Sequence, residues 1–348
     1  MGLKHKEFIL SLFLCVFFIL PVFSAGEDKG NKSVYKNVIF YVMEDSNSLF
    51  QIGLMDENGE NKHLLTDMGN NWCPAVSPDG EKIAFYSDRS GYANLWLMDA
   101  DGSSQKQLTF NREDIIRIDL RNRGQIQWSK ESNTIYFLKK GDIWTTDKNG
   151  LSPSAMTGHH DITCFKFSPE KNRILFSREV TKRHNGIWCM EATGVNPKQI
   201  VESVIVNPAF DWGDDNVFVY YYDGALCTLT YYGADKKTLR PVSFTDSGVA
   251  WSKANNDRSK NFIAFIDDTD GKPNVWTAKP DNTGLKQITQ DGGHSPFWAA
   301  GGKSLLFVEA NDIYAYRMDS GEKNRLTYYF RSFYPVYTEI KIRGRVSE

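Results

Sequence analysis

The apolar residues of this chain recur in runs of three or four, and each run is followed by a short polar turn. The pattern is clearest between Trp72 and Thr109. Pro78-Asp79-Gly80 is typical of a turn, because proline presets φ and glycine supplies a positive φ. Short β-prone runs bounded by such turns predict strands. This stretch predicts four of them, at Ala75–Ser77, Ile83–Tyr86, Leu95–Met98 and Gln107–Thr109.

The same unit returns along the rest of the chain. Its second strand occurs seven times, at separations of 39 to 52 residues, beginning at Val38, Ile83, Ile135, Ile174, Val217, Ile263 and Leu305. Four short strands bury little apolar surface alone, so each unit needs stacked neighbours. A period of about 40–45 residues with four strands per unit is typical of a β-propeller. The sequence therefore predicts an all-β propeller with seven blades, and six blades is the alternative.

The first strand of the unit is missing at the start of the repeats and present once more at their end. No copy precedes Val38, whereas an extra copy, Pro335–Thr338, follows the last unit. An orphan strand at the end thus matches a missing strand at the start. We expect the C-terminal strand to complete the first blade beside Val38–Val42, because a closed ring hides the sheet edges that an open array would expose.

The repeat also carries a family resemblance. Within residues 72–109 the segments SPDG, IAF, SDRSG, LW, MDADG and LT follow one another as in the repeat of TolB-type β-propellers. The match is weaker elsewhere: tryptophan recurs at one third-strand site as Trp96, Trp144, Trp188 and Trp276, whereas Gly53, Leu226 and Tyr314 replace it in other units. The resemblance implies a TolB-type (WD-like) propeller. It does not imply TolB itself, which has an additional N-terminal α/β domain and six blades.

The N-terminus reads as a targeting segment. Lys4 and Lys6 precede the apolar run Phe8–Phe23, and Ser24-Ala25-Gly26 offers small residues for cleavage. Sixteen apolar residues are few for a membrane span and suit a secretory signal. We therefore predict a signal peptide over residues 1–25, a flexible lead-in over 26–36, the propeller over 37–340 and a tail over 341–348. The expected location is the periplasm or the exterior, and an uncleaved anchor is the alternative.

Charge and composition limit the kinds of partner. Lysine and arginine number 41 against 43 acidic residues, a net charge of −2, which gives no reason to expect nucleic acid. The aromatic content of 14% suits a β-rich chain. We expect a monomer that holds no cofactor. After signal cleavage we also expect no membrane span.

Two enzyme classes share similar propellers. Serine peptidases of the prolyl-oligopeptidase type need a hydrolase domain, but the chain has no Gly-x-Ser-x-Gly motif and no residues left for that domain. Oligogalacturonate lyases hold a metal with His and Gln side chains at one mouth of the ring. Here His160, Asp291 and His294 could form a mouth site, but no comparable cluster of Gln and His is present. The repeated Asp-Gly turns lack the downstream Glu of a calcium loop and are read as hairpin turns.

Four cysteines follow the predicted signal. Cys73 and Cys164 each lie four residues before a Ser-Pro pair, and Cys189 and Cys227 are read as one third-strand site in adjacent blades. Equivalent sites in stacked sheets are about 10 Å apart, whereas a disulfide needs Cα atoms within about 7 Å. The prediction is therefore four buried thiols without a disulfide.

The predicted loops differ between the two ends of the ring. The first-to-second and third-to-fourth turns are short and repetitive, whereas the second-to-third loops and the connections between blades vary, and function tends to lie on variable loops. These variable loops concentrate basic residues over adjacent blades: Arg112, Arg117, Arg121, Arg123, Lys139, Lys140, His159, His160, Arg178, Lys182 and Arg183. They are either solvated charges or a site for an anionic ligand.

The function favoured by these patterns is an exported, non-enzymatic scaffold that binds a cell-envelope protein or an anionic glycan through the variable loops. The alternatives are a polysaccharide lyase or hydrolase with its site at the channel mouth, and a structural assembly subunit. The sequence names no partner, because fold alone does not fix function.

Overall fold

The chain folds into seven four-stranded antiparallel sheets arranged as the blades of a propeller. The structure is a computed structural model that describes residues 34–112, 125–179, 185–203, 209–213, 216–243, 248–253, 260–269, 271–328 and 332–342. These residues form strands, turns and a 3₁₀ turn at Ala300–Gly302, without an α-helix among them. Within these ranges, no helix has the length and apolar character that crossing a membrane requires. The seven-bladed all-β prediction is confirmed.

Each blade runs from an inner first strand to an outer fourth strand. In that order the strands are, for blade 1, β28 (Ser332–Ile342), β1 (Val34–Glu44), β2 (Phe50–Asp56) and β3 (His63–Leu64); for blade 2, β4 (Asn71–Val76), β5 (Lys82–Ser87), β6 (Asn94–Asp99) and β7 (Lys106–Gln107); for blade 3, β8 (Ile126–Trp128), β9 (Thr134–Lys139), β10 (Asp142–Asp147) and β11 (Ser154–Ala155); for blade 4, β12 (Ile162–Phe167), β13 (Arg173–Glu179), β14 (Asn185–Glu191) and β15 (Lys198–Ser203); for blade 5, β16 (Phe210–Trp212), β17 (Val217–Tyr222), β18 (Ala225–Thr230) and β19 (Lys237–Pro241); for blade 6, β20 (Ala250–Trp251), β21 (Ile263–Asp267), β22 (Asn274–Ala278) and β23 (Lys286–Gln287); and for blade 7, β24 (His294–Trp298), β25 (Ser304–Glu309), β26 (Asp312–Arg317) and β27 (Lys323–Arg325).

The hydrophobic core lies between the blades. The second strand β5 is buried on both faces, so its near-continuous apolar run packs against two neighbouring sheets. One inter-blade cluster, for example, joins Tyr86 and Leu95 of blade 2 to Ile126 and Trp128 of blade 3. Each blade thus depends on its neighbours for burial, as the repeat period predicted.

The C-terminal strand closes the ring in blade 1. β28 takes the inner position and pairs with β1, with Val38 opposite Thr338, which confirms the predicted closure. Both strands are 11 residues long and continue to the pair Val34 and Ile342, because no first-to-second turn interrupts them in this blade. Regular structure therefore starts three residues before and ends two residues after the propeller bounds expected from the sequence.

Glycines in the third-to-fourth turns fix the spacing between blades. A Cβ on Gly102 or Gly150, both at positive φ, would lie 3.0–3.2 Å from Leu65 or Leu108 of the preceding blade. Gly59 of blade 1 has φ +82°, and a Cβ there would lie 2.9 Å from the carbonyl oxygen of Leu326 in blade 7. The closing contact between blades 7 and 1 therefore repeats the contact between internal blades.

The four cysteines within the described residues are buried and no disulfide joins them, as predicted. Cys189 and Cys227 do not share one third-strand site, however, so that expectation was wrong. Cys227 lies opposite Tyr220, which is the position of the recurring tryptophan, whereas Cys189 lies opposite Leu175, one residue further along its strand. Cys227 rather than Leu226 thus replaces the tryptophan in blade 5, and both thiols border one core between blades 4 and 5.

Candidate functional site

Chain topology puts all second-to-third loops and all connections between blades at one end of the ring, which we call the variable-loop face. Three of its loops are two-residue turns with both residues at positive φ: Lys140-Gly141 in blade 3, Asp223-Gly224 in blade 5 and Ala310-Asn311 in blade 7. Such turns match the twist of the flanking strands. Blades 1, 2, 4 and 6 have five or six residues at this place, so the face combines short and long loops.

A threonine two residues beyond the outer strand fastens the chain to the start of the third strand in five blades. Its hydroxyl donates to a polar side chain at the start of the third strand, at 2.8–3.0 Å, and accepts the next backbone N–H, at 2.9–3.0 Å. We call this arrangement the threonine clip; its pairs are Gln51 and Thr66, Asn94 and Thr109, Asp142 and Thr157, Asn274 and Thr289, and Asp312 and Thr327. The third-strand residue always precedes the threonine by 15 positions. This spacing is visible in the sequence but was missed there.

Blades 4 and 5 lack both halves of the clip. Gly186 and Ala225 begin the corresponding part of the third strand, and Val201 and Arg240 stand where the threonine would be. There the outer strand instead continues along the third strand, so that Gly186 pairs with Glu202 and Ala225 with Pro241. Backbone pairing therefore replaces the side-chain clip in these two blades.

Asp142 holds the connection that carries the two adjacent histidines. Its Oδ1 accepts the hydroxyl of Thr157 and the backbone N–H groups of His159 and His160, at 2.7–3.3 Å. Its Oδ2 lies 2.5 Å from Nδ1 of His160, whose side chain is 75% exposed. A Cβ on Gly141 would lie 2.5 Å from the carbonyl of His160, so the blade 3 turn and this connection are in close contact.

The predicted basic residue Arg178 is already paired. Its Nε and Nη2 donate to the two carboxylate oxygens of Asp161 at 2.7 and 2.9 Å, and its guanidinium lies 4.7 Å from the Trp188 ring centroid. The His159 ring stacks on Phe176, and burial, followed by the nearby charge of Arg178, lowers the pKa of His159. Arg178 and His159 therefore act within the fold of blade 4.

The other predicted basic residues divide into two groups. Lys139 lies over the Trp144 ring at 4.5 Å, while Lys140 and Arg112 are exposed on the variable-loop face. The remaining candidates lie outside the described residues: Arg117, Arg121, Arg123, Lys182 and Arg183. The anionic-ligand site thus stays a prediction, with Arg112, Lys140 and His160 as its exposed described members.

The possible metal ligands each have a local contact. His160 bonds to Asp142, Asp291 pairs with Lys272 at 3.1 Å, and Nδ1 of His294 lies 3.0 Å from the hydroxyl of Ser295. Across the part of the chain that the structure describes, no group of three His, Cys, Asp or Glu side chains is placed to share an ion. His160, Asp291 and His294 are therefore not assembled into a metal site here.

Three exposed apolar side chains on neighbouring loops were not predicted. Met68, Tyr92 and Phe110 are 61%, 41% and 76% exposed. They lie on the connection from blade 1 to blade 2, on the second-to-third loop of blade 2 and on the connection from blade 2 to blade 3. We call these three residues the blade-2 loop cluster. Single apolar residues within polar loops are not part of a repeat pattern, so no pattern in the sequence indicated these three.

Hydrogen bonds fasten the three segments of this cluster to one another. The backbone N–H and Nδ2 of Asn70 donate to the carboxylate of Asp88 at 2.7 and 2.9 Å. On the other side, the backbone N–H of Asn111 donates to Oδ1 of Asn94 at 2.6 Å and its Nδ2 donates to the carbonyl oxygen of Ala93 at 3.0 Å. Met68, Tyr92 and Phe110 are therefore displayed on loops with fixed backbones.

Arg89 lies in the second-to-third loop of blade 2 and stabilises it through contacts with neighbouring strands. Its Nη2 donates to Oδ1 of Asn71 at 2.7 Å, and its guanidinium lies 4.8 Å from the Trp96 ring centroid. Burial is the main cause that lowers the pKa of Arg89, and Asp67 and Asp88 oppose it. The Asp88-Arg89 pair thus satisfies local backbone and charge.

Comparisons with known proteins identify the fold. No protein-family model matches this chain. Over 139 residues, 38% of this chain, the sequence is 32% identical to dipeptidyl-peptidase 5 of Porphyromonas gingivalis, a match that covers 19% of the peptidase. TolB from Acinetobacter baumannii has a TM-score of 0.51 at 14% identity, over 71% of this chain and 62% of TolB. An oligogalacturonate lyase in complex with manganese has a TM-score of 0.56 at 13% identity, over 85% of this chain and 86% of the lyase.

These similarities confirm the TolB-type propeller expected from the repeat. Because the structural matches are well below 25% identity, they show the fold alone. The matched part spans about a fifth of the peptidase and about three fifths of TolB. The activities of those proteins are therefore not assigned to this chain, whose function is inferred from its own surface.

Proposed function

We propose that this chain is an exported, non-enzymatic propeller that binds a protein of the cell envelope through the blade-2 loop cluster. The observation that carries this proposal is the exposure of Met68, Tyr92 and Phe110 on three loops that are bonded together. Exposed apolar side chains grouped on one face of a soluble domain are typical of interaction sites. Aromatic residues and methionine are also enriched in the cores of protein interfaces.

The loop geometry supports binding by a rigid surface. Ordering a loop on association costs free energy, and a surface that is already ordered avoids that cost. The bonds of Asn70 and Asn111 meet that condition before any partner arrives. The predicted signal peptide over residues 1–25, which lies outside the described residues, supports a location in the envelope.

The test compares three forms of the full chain expressed in its native host. One is wild type, and one carries Met68→Ser, Tyr92→Ser and Phe110→Ser. The matched control carries Leu151→Ser, Val195→Ser and Leu285→Ser, which removes exposed apolar side chains from the third-to-fourth turns at the opposite end of the ring. We expect a stoichiometric envelope protein to co-purify with wild type and control and to be lost from the cluster variant.

Equal co-purification with all three forms, or with none, contradicts the proposal. Binding of acidic glycans is measured in parallel on the same proteins. A glycan that is retained by wild type and lost from the cluster variant, without a protein partner, would keep the site and overturn the class of partner.

A further inference from the structure

Among the described residues, the exposed charges of the variable-loop face change sign across the blade-2 loop cluster. On the side of blade 1, the exposed acidic residue Asp67 directly precedes Met68. On the side of blade 3, the exposed residue Arg112 follows Phe110 by two positions, and Lys140 is exposed at the tip of the blade 3 turn. The apolar side chains therefore lie between an acidic flank and a basic flank, in ring order.

The backbones that carry Lys140 and Asp67 have defined conformations. Lys140 and Gly141 form a two-residue turn with φ of +54° and +73°, so the tip of this loop has one backbone conformation. Two residues after Asp67, the same connection packs closely against the blade 2 loop. A Cβ on Gly69, which has φ +61°, would lie 2.8 Å from atoms of Arg89 and Asp88. Asp67 and Lys140 thus lie on ordered stretches of backbone on opposite sides of the cluster.

We propose that the partner docks on this cluster through a protein segment that presents an apolar side chain between carboxylates on its blade 3 side and a basic group on its blade 1 side. The inference rests on the proposed function and names the chemistry and direction of the partner. Exposed charges at the rim of an interface contribute mainly to specificity and association rate, and like charges across an interface disfavour a reversed orientation. Charge complementarity therefore selects one direction of binding, while the apolar side chains provide contact area.

The probe for this inference is a photo-crosslinking residue, p-benzoyl-L-phenylalanine, in place of Phe110 in the full chain. The matched control carries the same residue in place of Leu151, which is 64% exposed at the opposite end of the ring. Both proteins are irradiated in the envelope fraction of the host, and the crosslinked peptide is sequenced by mass spectrometry. We expect crosslinks from position 110 to a protein segment with Asp or Glu close to the crosslinked residue.

Charge reversal then tests the direction. Arg112→Glu and Asp67→Lys, each added to the crosslinking chain, are expected to lower the yield by about two- to five-fold at low salt, the scale of exposed charge pairs. The matched control Lys148→Glu reverses an exposed charge in a third-to-fourth turn and should leave the yield unchanged. The loss caused by Arg112→Glu should shrink as salt is raised.

The outcomes distinguish a failure of the charge-directed docking from a failure of the proposed binding function. If position 110 crosslinks no more than position 151, the proposed function is wrong. If it crosslinks a protein but neither Arg112→Glu nor Asp67→Lys lowers the yield, the function stands and the charge-directed docking is wrong. Crosslinks to glycan instead of protein overturn both the docking chemistry and the class of partner.

Discussion

Lys166 and Asp211 form a buried ion pair between the inner strands of blades 4 and 5, with Nζ 2.8 Å from Oδ1. Both occupy the same position in their units, one residue before Phe167 and Trp212. The second carboxylate oxygen of Asp211 accepts the backbone N–H of Trp251 in blade 6 at 2.8 Å. One buried carboxylate therefore links three consecutive blades close to the centre of the ring.

Removing one partner of this pair should destabilise the ring. Lys166→Met leaves the Asp211 carboxylate buried without its cation, which costs about 3–5 kcal/mol in comparable buried pairs. The double variant Lys166→Met, Asp211→Asn removes both charges and keeps an oxygen for Trp251, so it should recover most of that loss. Urea unfolding of the wild type, each single variant and the double variant measures both effects. Equal unfolding free energies for Lys166→Met and the double variant would show that the pair is not coupled.

The threonine clip makes a second, smaller contribution. Thr109→Val keeps the shape of the side chain but removes the hydroxyl that joins Asn94 to the backbone N–H of Leu95. Leaving such buried groups unsatisfied costs about 1–3 kcal/mol. Thr109→Ser retains the hydroxyl and is the matched control. We expect thermal unfolding to start earlier in the valine variant than in the serine variant, and identical midpoints would contradict the role of the clip.

The blade count and the closure could be predicted from the sequence because they depend on the repeat period. The apolar runs at Val38, Ile83 and their counterparts mark every second strand, and the orphan strand at Pro335 has one economical place to pair. The position of Cys227 could not be fixed, because a shift of one residue within a strand is invisible when the two candidates, here Leu226 and Cys227, are both apolar. The pairing of Cys227 with Tyr220 in the structure sets the register of this strand.

The candidate site was only partly accessible to sequence reasoning. Charge runs pointed to the variable-loop face, but the sequence could not show that Arg178 is paired with Asp161 or that Asp142 holds His160. Those contacts join residues from different loops. The blade-2 loop cluster could be recognised only from the solvent exposure of its side chains. From sequence alone, an isolated phenylalanine such as Phe110 is as compatible with a core position as with the surface.

Deleting residues 331–348 should open the ring. The deletion removes β28, so β1 loses its inner partner from Val34 to Met43 and blade 1 loses its contact with the centre. Several kcal/mol of unfolding free energy should be lost, since a whole strand leaves the core. The milder deletion of residues 343–348 keeps β28 intact and is the control. A thermal midpoint that is the same for the two deletions would refute the closure by this strand.

The four thiols should react only after unfolding. In the native protein all four are buried, and burial raises the pKa of Cys189 to about 11, so little thiolate is present at pH 8. After denaturation without reductant, a colorimetric thiol reagent should count all of Cys73, Cys164, Cys189 and Cys227. A count of two or fewer would reveal disulfides that this structure does not contain.

Acid should weaken the third-to-fourth turn of blade 2. The hydrogen bond and ion pair with Lys82 hold the pKa of Asp99 below its usual value, and the hydroxyl of Ser103 does the same for Asp101. Since these pKa values are lower in the folded chain, the unfolded chain binds more protons near pH 4. Their stabilisation is therefore complete above about pH 4, the ordinary aspartate range, and is lost as the pH falls through the lowered folded values.

Asp99→Asn tests this sign. The variant should be less stable than wild type at pH 7, by no more than about 1 kcal/mol because the pair is partly exposed. Between pH 4 and pH 2 its unfolding free energy should fall less steeply than that of wild type, so that the two curves converge. Asp319→Asn, in the corresponding turn of blade 7, removes a carboxylate without touching Lys82 and serves as the control. Parallel curves for wild type and Asp99→Asn throughout this range would show that the carboxylate of Asp99 does not report the folding of the turn.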